Sequence, residues 1–589
     1  MSPIAAEHSA RSGVSAEAER ESWRRVADDL GLPFLDRIDP DPPDTASEPP
    51  PPAAFSRAEA LFLGIGGGAL LVVAPPPDRR ELIARFLVDH PALRRRLAVA
   101  TPREIRRALI ERWGDPLTRR AVGAILDRDP ELSAASRPHP RQLLAATAML
   151  ALWALALSGA VPPLLAFWTA SFLTIGLFRL LVADLVPPRP PAPIDEEELP
   201  RYAVLVPVYR EARVVGDLVA ALARLDYPRD RLEVRLIVEA DDLDTRHAAI
   251  EAVGGDPAFD VVVVPPSRPR TKPKALDFAL ATIDAELVTV YDAEDRPEPD
   301  QLRRAAAVFA AGPPELAVVQ AALEIDHTER ARPWLVRQFE IEYAMNFDGL
   351  LPWLAARRLF LPLGGTSNHF RRDVLVAIGG WDPHNVTEDA DIAVRLARAG
   401  WHAGVVASRT REEAPTRSRA WLAQRTRWMK GWIQTWFAHM RRPRRFHREL
   451  GWMDAVAFHM VLTGQILSAV SFLPSVVILL LQACGVLPFL LGDQTLGDDV
   501  LGLSALGAFA TGVIGTFVLA MNVSPRSGRA FRVVDVLSMP LYWCAISLAA
   551  YAAIVELVHA PDRWNKTTHG VATRVPVARA SPTGRRAKA

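Results

Sequence analysis

Four short stretches of this chain carry residue types that can do chemistry. Asp292-Ala-Glu294-Asp295 follows an apolar run, Glu286-Leu-Val-Thr-Val-Tyr291. Carboxylates crowded at a strand end repel one another unless a cation or hydrogen bonds compensate. A hard divalent ion binds through one or two carboxylates plus phosphate oxygens. The cluster Asp292, Glu294 and Asp295 is therefore a candidate site for a divalent ion, Mg2+ or Mn2+; the competing reading is a solvated acidic turn capping the next helix. A second stretch, Thr387-Glu388-Asp389-Ala-Asp391, opens a helical pattern. Its acids add to the functional signal of the first stretch, or merely compensate the helix dipole behind a Thr387 cap. The third stretch places Gln424, Arg427 and Trp428 at i, i+3 and i+4 on one helix face. An amide, a guanidinium and an indole together can hold a diphosphate and a sugar ring. The bland alternative is an interfacial anchor, since Trp421, Trp428, Trp432 and Trp436 recur at nearly helical spacing. The fourth stretch is Glu239-Ala-Asp241-Asp242, whose carboxylates could accept from a nucleobase N–H or from ribose hydroxyls.

Such groups need elements to aim them. Tyr202-Ala-Val-Leu-Val-Pro-Val208 reads as a buried strand, followed by the polar turn Tyr209-Arg-Glu211 and a helix from Val215 to Leu225. A second strand, Val234 to Val238, runs into the Glu239 turn. Strand, helix, strand and acidic turn open a nucleotide-binding α/β sheet, whose ligands sit beyond the strand C-termini. The soluble α/β region is expected over 201–450.

The rest of the chain reads as membrane and linker. Half of the 589 residues are hydrophobic, yet 23% are charged, which suits apolar spans joined to a charged soluble body. A net charge of +1 gives no global field for nucleic acid. Cys484 and Cys544 lack paired spacing, which argues against a disulfide framework or thiolate zinc site. No apolar h-region marks a signal peptide near Met1. Residues 142–186 are long enough for two membrane helices. Residues 187–200 form a Pro-rich acidic linker, 455–559 hold three or four further spans, and 560–589 are a basic tail. Basic residues at Arg441–Arg448 and Arg526–Arg532 place those loops on the cytoplasmic side, and the tail from Arg563 asks for the same side. Five or six helices in total remain open, as does whether 455–491 is a hairpin or one span behind an interfacial helix. Residues 1–17 read as disordered, and 18–135 as a small α+β domain. Its expected elements are a helix ending near Gly31, strands within Ala60–Val73, and helices at 78–97 and 102–114.

The order of "VPVYRE", "EADDLDT", "TKPKALD", "DAED", "GGTSNHFRRDVLVAIGGWD", "TEDAD" and "QRTRW" resembles the membrane-embedded family-2 glycosyltransferases of GT-A fold. That group includes cellulose and hyaluronan synthases, and the resemblance runs furthest to the phage-adsorption-protein-B type. "DRWNKTTHG" (Asp562 to Gly570) is similar to that group's C-terminal signature. The resemblance implies an inverting hexosyl transfer from a nucleotide-sugar donor, UDP-linked, to a growing cell-surface polysaccharide, glycan or lipid-linked acceptor at the bacterial inner membrane, with the catalytic domain cytoplasmic. Asp389 would be the general base, while Glu239, Asp241 or Asp242 would contact the uridine. Lys272 would lie near the diphosphate with Asp277, which replaces the usual Asn. Asp292 and Glu294 stand where the group has Asp-x-Asp, and Gln424, Arg427 and Trp428 match Gln-x-x-Arg-Trp. "WRRVADDLGLPFLD", "LLVVAPPP" and "AVATPREIRRALIERWG" resemble the N-terminal domain of type II secretion ATPases, which implies docking, regulation or envelope export partners. The Arg-Leu-Gly motif by which some of those domains bind cyclic di-GMP is missing, so nucleotide sensing is not implied. A catalytically silent scaffold or receptor subunit is the alternative function from another class.

Overall fold

The computed structural model describes residues 16–41, 48–65, 68–157, 162–326, 332–484 and 496–560. The tail signature Asp562–Gly570 and the basic residues from Arg563 onward lie outside that range, as do residues 1–15.

At the centre is an eight-stranded mixed sheet. Its strands are β4 (Tyr202–Val208), β5 (Leu232–Glu239), β6 (Phe259–Val264), β7 (Leu287–Val290), β8 (Arg296–Pro297), β9 (Leu316–Ile325), β10 (Asn368–Arg371) and β11 (His402–Glu412). The order is β6-β5-β4-β7-β10-β9-β11-β8. β6, β5, β4 and β7 are mutually parallel, so four strand C-termini open on one edge. β10 is antiparallel to both β7 and β9. The short run Leu-Val-Thr-Val and its β-branched neighbours suit strands buried on both faces.

Side chains alternate between two cores, as the two-residue strand period requires. Val204, Val206, Val234 and Leu236 pack under the helices Val215–Leu222 and Gln301–Ala311. Ala203, Leu205, Ile237 and Val262 face the other way, toward the helix Lys272–Leu280 and Trp113 and Leu117 of the N-terminal region.

That N-terminal region carries its own sheet, β1 (Ala60–Ile65), β2 (Gly68–Val73) and β3 (Leu97–Val99), ordered β1-β2-β3. Thr101 caps the following helix by accepting the Glu104 N–H, with Pro102 at its first position. The helix then runs to Arg128, beyond the 102–114 expected, with Pro116 inside it. Between 77 and 97 there is a helix to Asp89 and then a 3-10 turn, Pro91–Arg96, rather than one helix. Arg103 donates to the carbonyls of Gly254, Asp256 and Phe259, and Arg106 pairs with buried Asp260, fastening this helix beside β6.

Among the described residues there are five apolar helices: Pro140–Leu157 and Pro162–Val182 between the two soluble regions, and Gly464–Ala483, Leu496–Val523 and Met539–His559 after the second. Among the described residues, three stretches are long and apolar enough to cross a membrane, namely Pro443–Leu481, Gly502–Val523 and Met539–His559, with Ala166–Val182 a shorter apolar helix. Residues 455–483 form one continuous helical path rather than a hairpin. Its entry bends at Gly451, whose φ of 76° lies in the left-handed region. Pro162–Val182 lies close along Leu496–Val523, where a Cβ on Gly515 would come within 2.6 Å of the Gly176 carbonyl oxygen.

Candidate functional site

The parallel strands deliver their loops to one place. After β4 the chain turns at Arg210, whose φ of 55° is unusual for a residue with a Cβ. The Asp242 carboxylate holds that turn by accepting the Arg210 N–H, and it also caps the helix Leu243–Val253 by accepting from Thr245 N. Asp242 is thus committed to backbone, and Asp241 pairs with Arg270 at 2.6 Å. Glu239, at the end of β5, is clamped by Lys274 at 2.7 Å; burial still leaves its carboxyl above the usual range. Of the three acids, Glu239 lines the cavity described below, whereas Asp241 reaches it only through Arg270.

The β7 loop carries the densest charge. Asp292 accepts from the Lys272 ammonium, which also donates to the Gly365 carbonyl at 2.6 Å and lies 3.6 Å from Glu388. Burial works against the ammonium, but Asp292 and Glu388 hold its pKa above the ordinary value. Lys272 therefore ties the acidic β7 loop to the loop ahead of Asp389. Behind it, Asp295 accepts from Asp292 N at 2.7 Å and from the Thr366 hydroxyl. Burial, then Asp292, Glu294 and Glu412, push its carboxyl well up, and its Oδ1 is buried without a hydrogen-bond partner.

Asp292 and Glu294 both line the cavity. Among the described residues no three His, Cys, Asp or Glu side chains form a metal cage of their own. Two hard oxygen donors beside an orphaned carboxylate oxygen fit a Mg2+ or Mn2+ ion that takes its remaining ligands from a diphosphate.

Asp277 resolves differently from its sequence neighbours. It is buried away from the cavity, accepts the Trp381 N–H at 3.0 Å, and burial pushes its carboxyl well above the ordinary carboxylate range. A protonated Asp offers one donor and one acceptor side, as an Asn amide does. Asp277 thus serves the backbone at Trp381 rather than the cavity.

Asp389 sits in the first turn of the helix Glu388–Arg398 and lines the same cavity. Burial, followed by the Glu388 charge, raises its pKa from 3.8 to about 7, against the pull of Lys272 and Arg427. Thr387 stands at the N-cap position without a side-chain cap bond, so the capping reading of this motif is not realised. Asp391 has another task. Fully buried, it holds Arg395 at 2.7 Å and His439 at 3.0 Å, and these partners outweigh burial to keep its carboxyl below the usual value.

The helix Ser418–His439 presses onto this loop. Asn385 donates to the Thr435 hydroxyl at 2.9 Å, Arg427 donates to the Val386 carbonyl at 3.3 Å, and Gly431 faces the Thr387 side chain so closely that a Cβ would meet it at 2.2 Å. Gln424, Arg427 and Trp428 all line the cavity. The Gln424 Oε1 and Arg427 Nε atoms are buried without partners, which leaves them free for a ligand. The tryptophans are not merely an interfacial stripe: Trp421 is buried against Tyr542, Trp436 donates to Thr463, and Trp428 and Trp432 reach the cavity.

Arg425 escapes sequence reading. Its guanidinium binds the Glu342 carboxylate and Tyr542 hydroxyl, with the Phe339 and Trp428 rings each 4.6 Å away. Glu342 and Phe339 come from one distant helix and Tyr542 from another, so spacing along the chain carries no trace of them, and only Trp428 shares its helix.

One cavity of about 960 Å³ starts at the strand ends and continues between the apolar helices. It brings together Glu239, Lys272, Asp292, Glu294, Asp389, Gln424, Arg427 and Trp428. A donor end with hard oxygen ligands and cations, beside a carboxylate poised near neutral pH, suits proton abstraction next to a departing phosphate.

Residues 200–431 match the family described as Glycosyltransferase like family 2. "Probable glycosyltransferase YdaM" of Bacillus subtilis is 27% identical over 252 residues, 40% of this chain and 56% of its own length. Beta-monoglucosyldiacylglycerol synthase of Synechocystis is 28% identical over 277 residues, 46% of this chain and 56% of its own. The chain thus spans little more than half the length of these curated relatives. A solved mannosyltransferase, PcManGT from Pyrobaculum calidifontis in complex with GDP-Man and Mn2+, aligns with 20% identity and a TM-score of 0.45 over 68% of this chain and 99% of its own. Residues 200–431 are a family-2 glycosyltransferase domain, and its mixed sheet is of the GT-A type.

Proposed function

We propose that this domain moves a hexosyl group from a nucleoside-diphosphate sugar to a hydroxyl of a membrane-associated glycan or lipid-linked acceptor, inverting the anomeric centre. The observation that carries this is the shared cavity, in which motifs about 190 residues apart in the chain, from Glu239 to Trp428, converge. Asp389 takes the proton from the acceptor hydroxyl as that oxygen attacks the anomeric carbon. The bond from that carbon to the diphosphate breaks, and the nucleoside diphosphate leaves with the electron pair. Arg427 neutralises charge developing on the leaving phosphate, and Gln424 and Trp428 hold the donor sugar against it. A divalent ion held by Asp292 and Glu294 would supply further charge neutralisation there. Glu239 and Arg270 border the end of the cavity where the nucleoside would bind.

One relative named for glucosyl transfer bears on the donor class, and the cationic loops Arg441–Arg448 and Arg526–Arg532 favour a cytoplasmic catalytic domain at a bacterial inner membrane. In the same reading residues 18–135 act as a docking or regulatory domain. The test is purified full-length protein in lipid discs, incubated with labelled UDP- and GDP-sugars. Transfer of label from one donor supports the proposal; no consumption of any donor by folded protein overturns it and returns the silent-scaffold reading.

A further inference from the structure

The catalytic cavity does not end at Asp389. It continues between the apolar helices along a wall of Phe172, Phe472, Val476, Leu479, Ala508 and Phe509. Polar side chains on this stretch are sparse and uncharged, among them Thr169, Gln465, Ser468 and Ser475, and Ser475 already donates to the Ser471 carbonyl. A bare glycan threading there would bring several hydroxyls per sugar past a wall with few groups to bond them. A hydroxyl left unpaired there is disfavoured. Hydrocarbon incurs no such cost.

Arg179 interrupts that wall. Among the described residues it is the one charged side chain that the apolar helices contribute to the cavity lining. It lies in the last turn of Pro162–Val182, at the end nearest the catalytic domain, where lipid phosphates sit beside a membrane helix. A side chain there could snorkel outward to water; instead Arg179 is turned inward. One N–H donates to Thr516 at 2.8 Å, and the guanidinium lies 4.9 Å from the Trp543 ring centroid. Among the described residues it has no carboxylate ion-pair partner. The Glu342 carboxylate in this part of the cavity is taken by Arg425 and the Tyr542 hydroxyl. A guanidinium has five N–H donors, so an inward-facing cation keeps donors to spare in an apolar channel. An ionisable group so placed marks a binding function.

We infer that the acceptor is an anionic, hydroxyl-bearing lipid. Arg179 binds its phosphate, its hydrocarbon follows the apolar wall, and its hydroxyl reaches Asp389. The inference rests on the transferase reading above and adds the acceptor class. The chemistry balances as before: the lipid hydroxyl oxygen forms the glycosidic bond, its proton passes to Asp389, and the nucleoside diphosphate departs.

The test uses full-length protein in discs of phosphatidylcholine, with or without phosphatidylglycerol, and the labelled donor. Glycerol 3-phosphate in plain discs serves as the headgroup-only arm. The expected result is chloroform-soluble label that requires phosphatidylglycerol and does not form with glycerol 3-phosphate. Arg179→Gln should raise the apparent KM for that lipid roughly tenfold or more, as losing a charge-assisted hydrogen bond implies, while nucleoside diphosphate affinity is unchanged. Arg179→Lys should recover part of the loss, and melting curves identify a variant that has not folded. Donor consumption with label confined to water-soluble product overturns the lipid assignment and leaves the transferase reading intact. Lipid transfer unaffected in folded Arg179→Gln removes Arg179 from it. No donor consumption at all overturns both.

Discussion

Replacing Asp389 with Asn separates chemistry from architecture at the site. The side chain keeps its size, and its oxygen can still accept the backbone bond from Ala390. What disappears is the proton acceptor. Removing a general base costs about 10²–10⁴-fold in rate, equivalent to about 3–5 kcal/mol of barrier. Nucleoside diphosphate affinity should hold, because Lys272, Asp292 and Arg427 stay in place. The raised pKa adds a signature: burial and Glu388 carry the carboxyl from 3.8 to about 7, so wild-type turnover should climb through an acidic limb near pH 7. The same shift means that the fold favours the protonated form. Its stabilising contribution is intact below the ordinary pKa and is lost as pH rises through about 7. Asp389→Asn should therefore flatten both the activity limb and that slope of melting temperature. Turnover, calorimetric affinity and melting are measured from pH 5 to 9. Near-normal turnover in folded Asp389→Asn, or an unchanged acidic limb, would refute the assignment.

Asp391→Asn should behave in the opposite way: it leaves Arg395 buried without its counter-charge, so melting should reveal a loss of about 3–5 kcal/mol with turnover per folded molecule largely kept. Chelation with EDTA should weaken nucleoside diphosphate binding, with Mn2+ or Mg2+ restoring it, and Glu294→Ala should erase that metal-dependent gain in calorimetry; equal affinity in a fully chelated sample would sink the metal assignment. Gly431→Ala drives a methyl into Thr387, and overpacking of this kind costs about 1–3 kcal/mol, so displacement of the Asp389 loop should lower kcat more than donor affinity. Asp382→Ala removes the acceptor for Ser133 Oγ at 3.0 Å and Ala134 N at 2.6 Å, which should free the 129–136 linker for proteolysis and lower the melting temperature.

The local pattern was enough to read β4, β5 and β7 as buried strands and to place acids at their ends, because strand period and β-branched content are properties of neighbouring residues. Gln424, Arg427 and Trp428 could likewise be set on one face, since helical spacing alone decides it. Local pattern could not say which acids face a ligand. Asp242 looks as available as Glu239 in the chain, yet a turn 32 residues earlier claims it for the Arg210 N–H. Asp389 and Asp391 are two residues apart, and only packing decides that one borders the cavity while the other is sealed against Arg395 and His439. Arg425 and Arg179 were invisible for the same reason, since their partners lie on helices distant in sequence. Helix and strand signals are written in short-range periodicity, whereas ionisation, pairing and access depend on dielectric and neighbours that exist only once the chain has closed on itself.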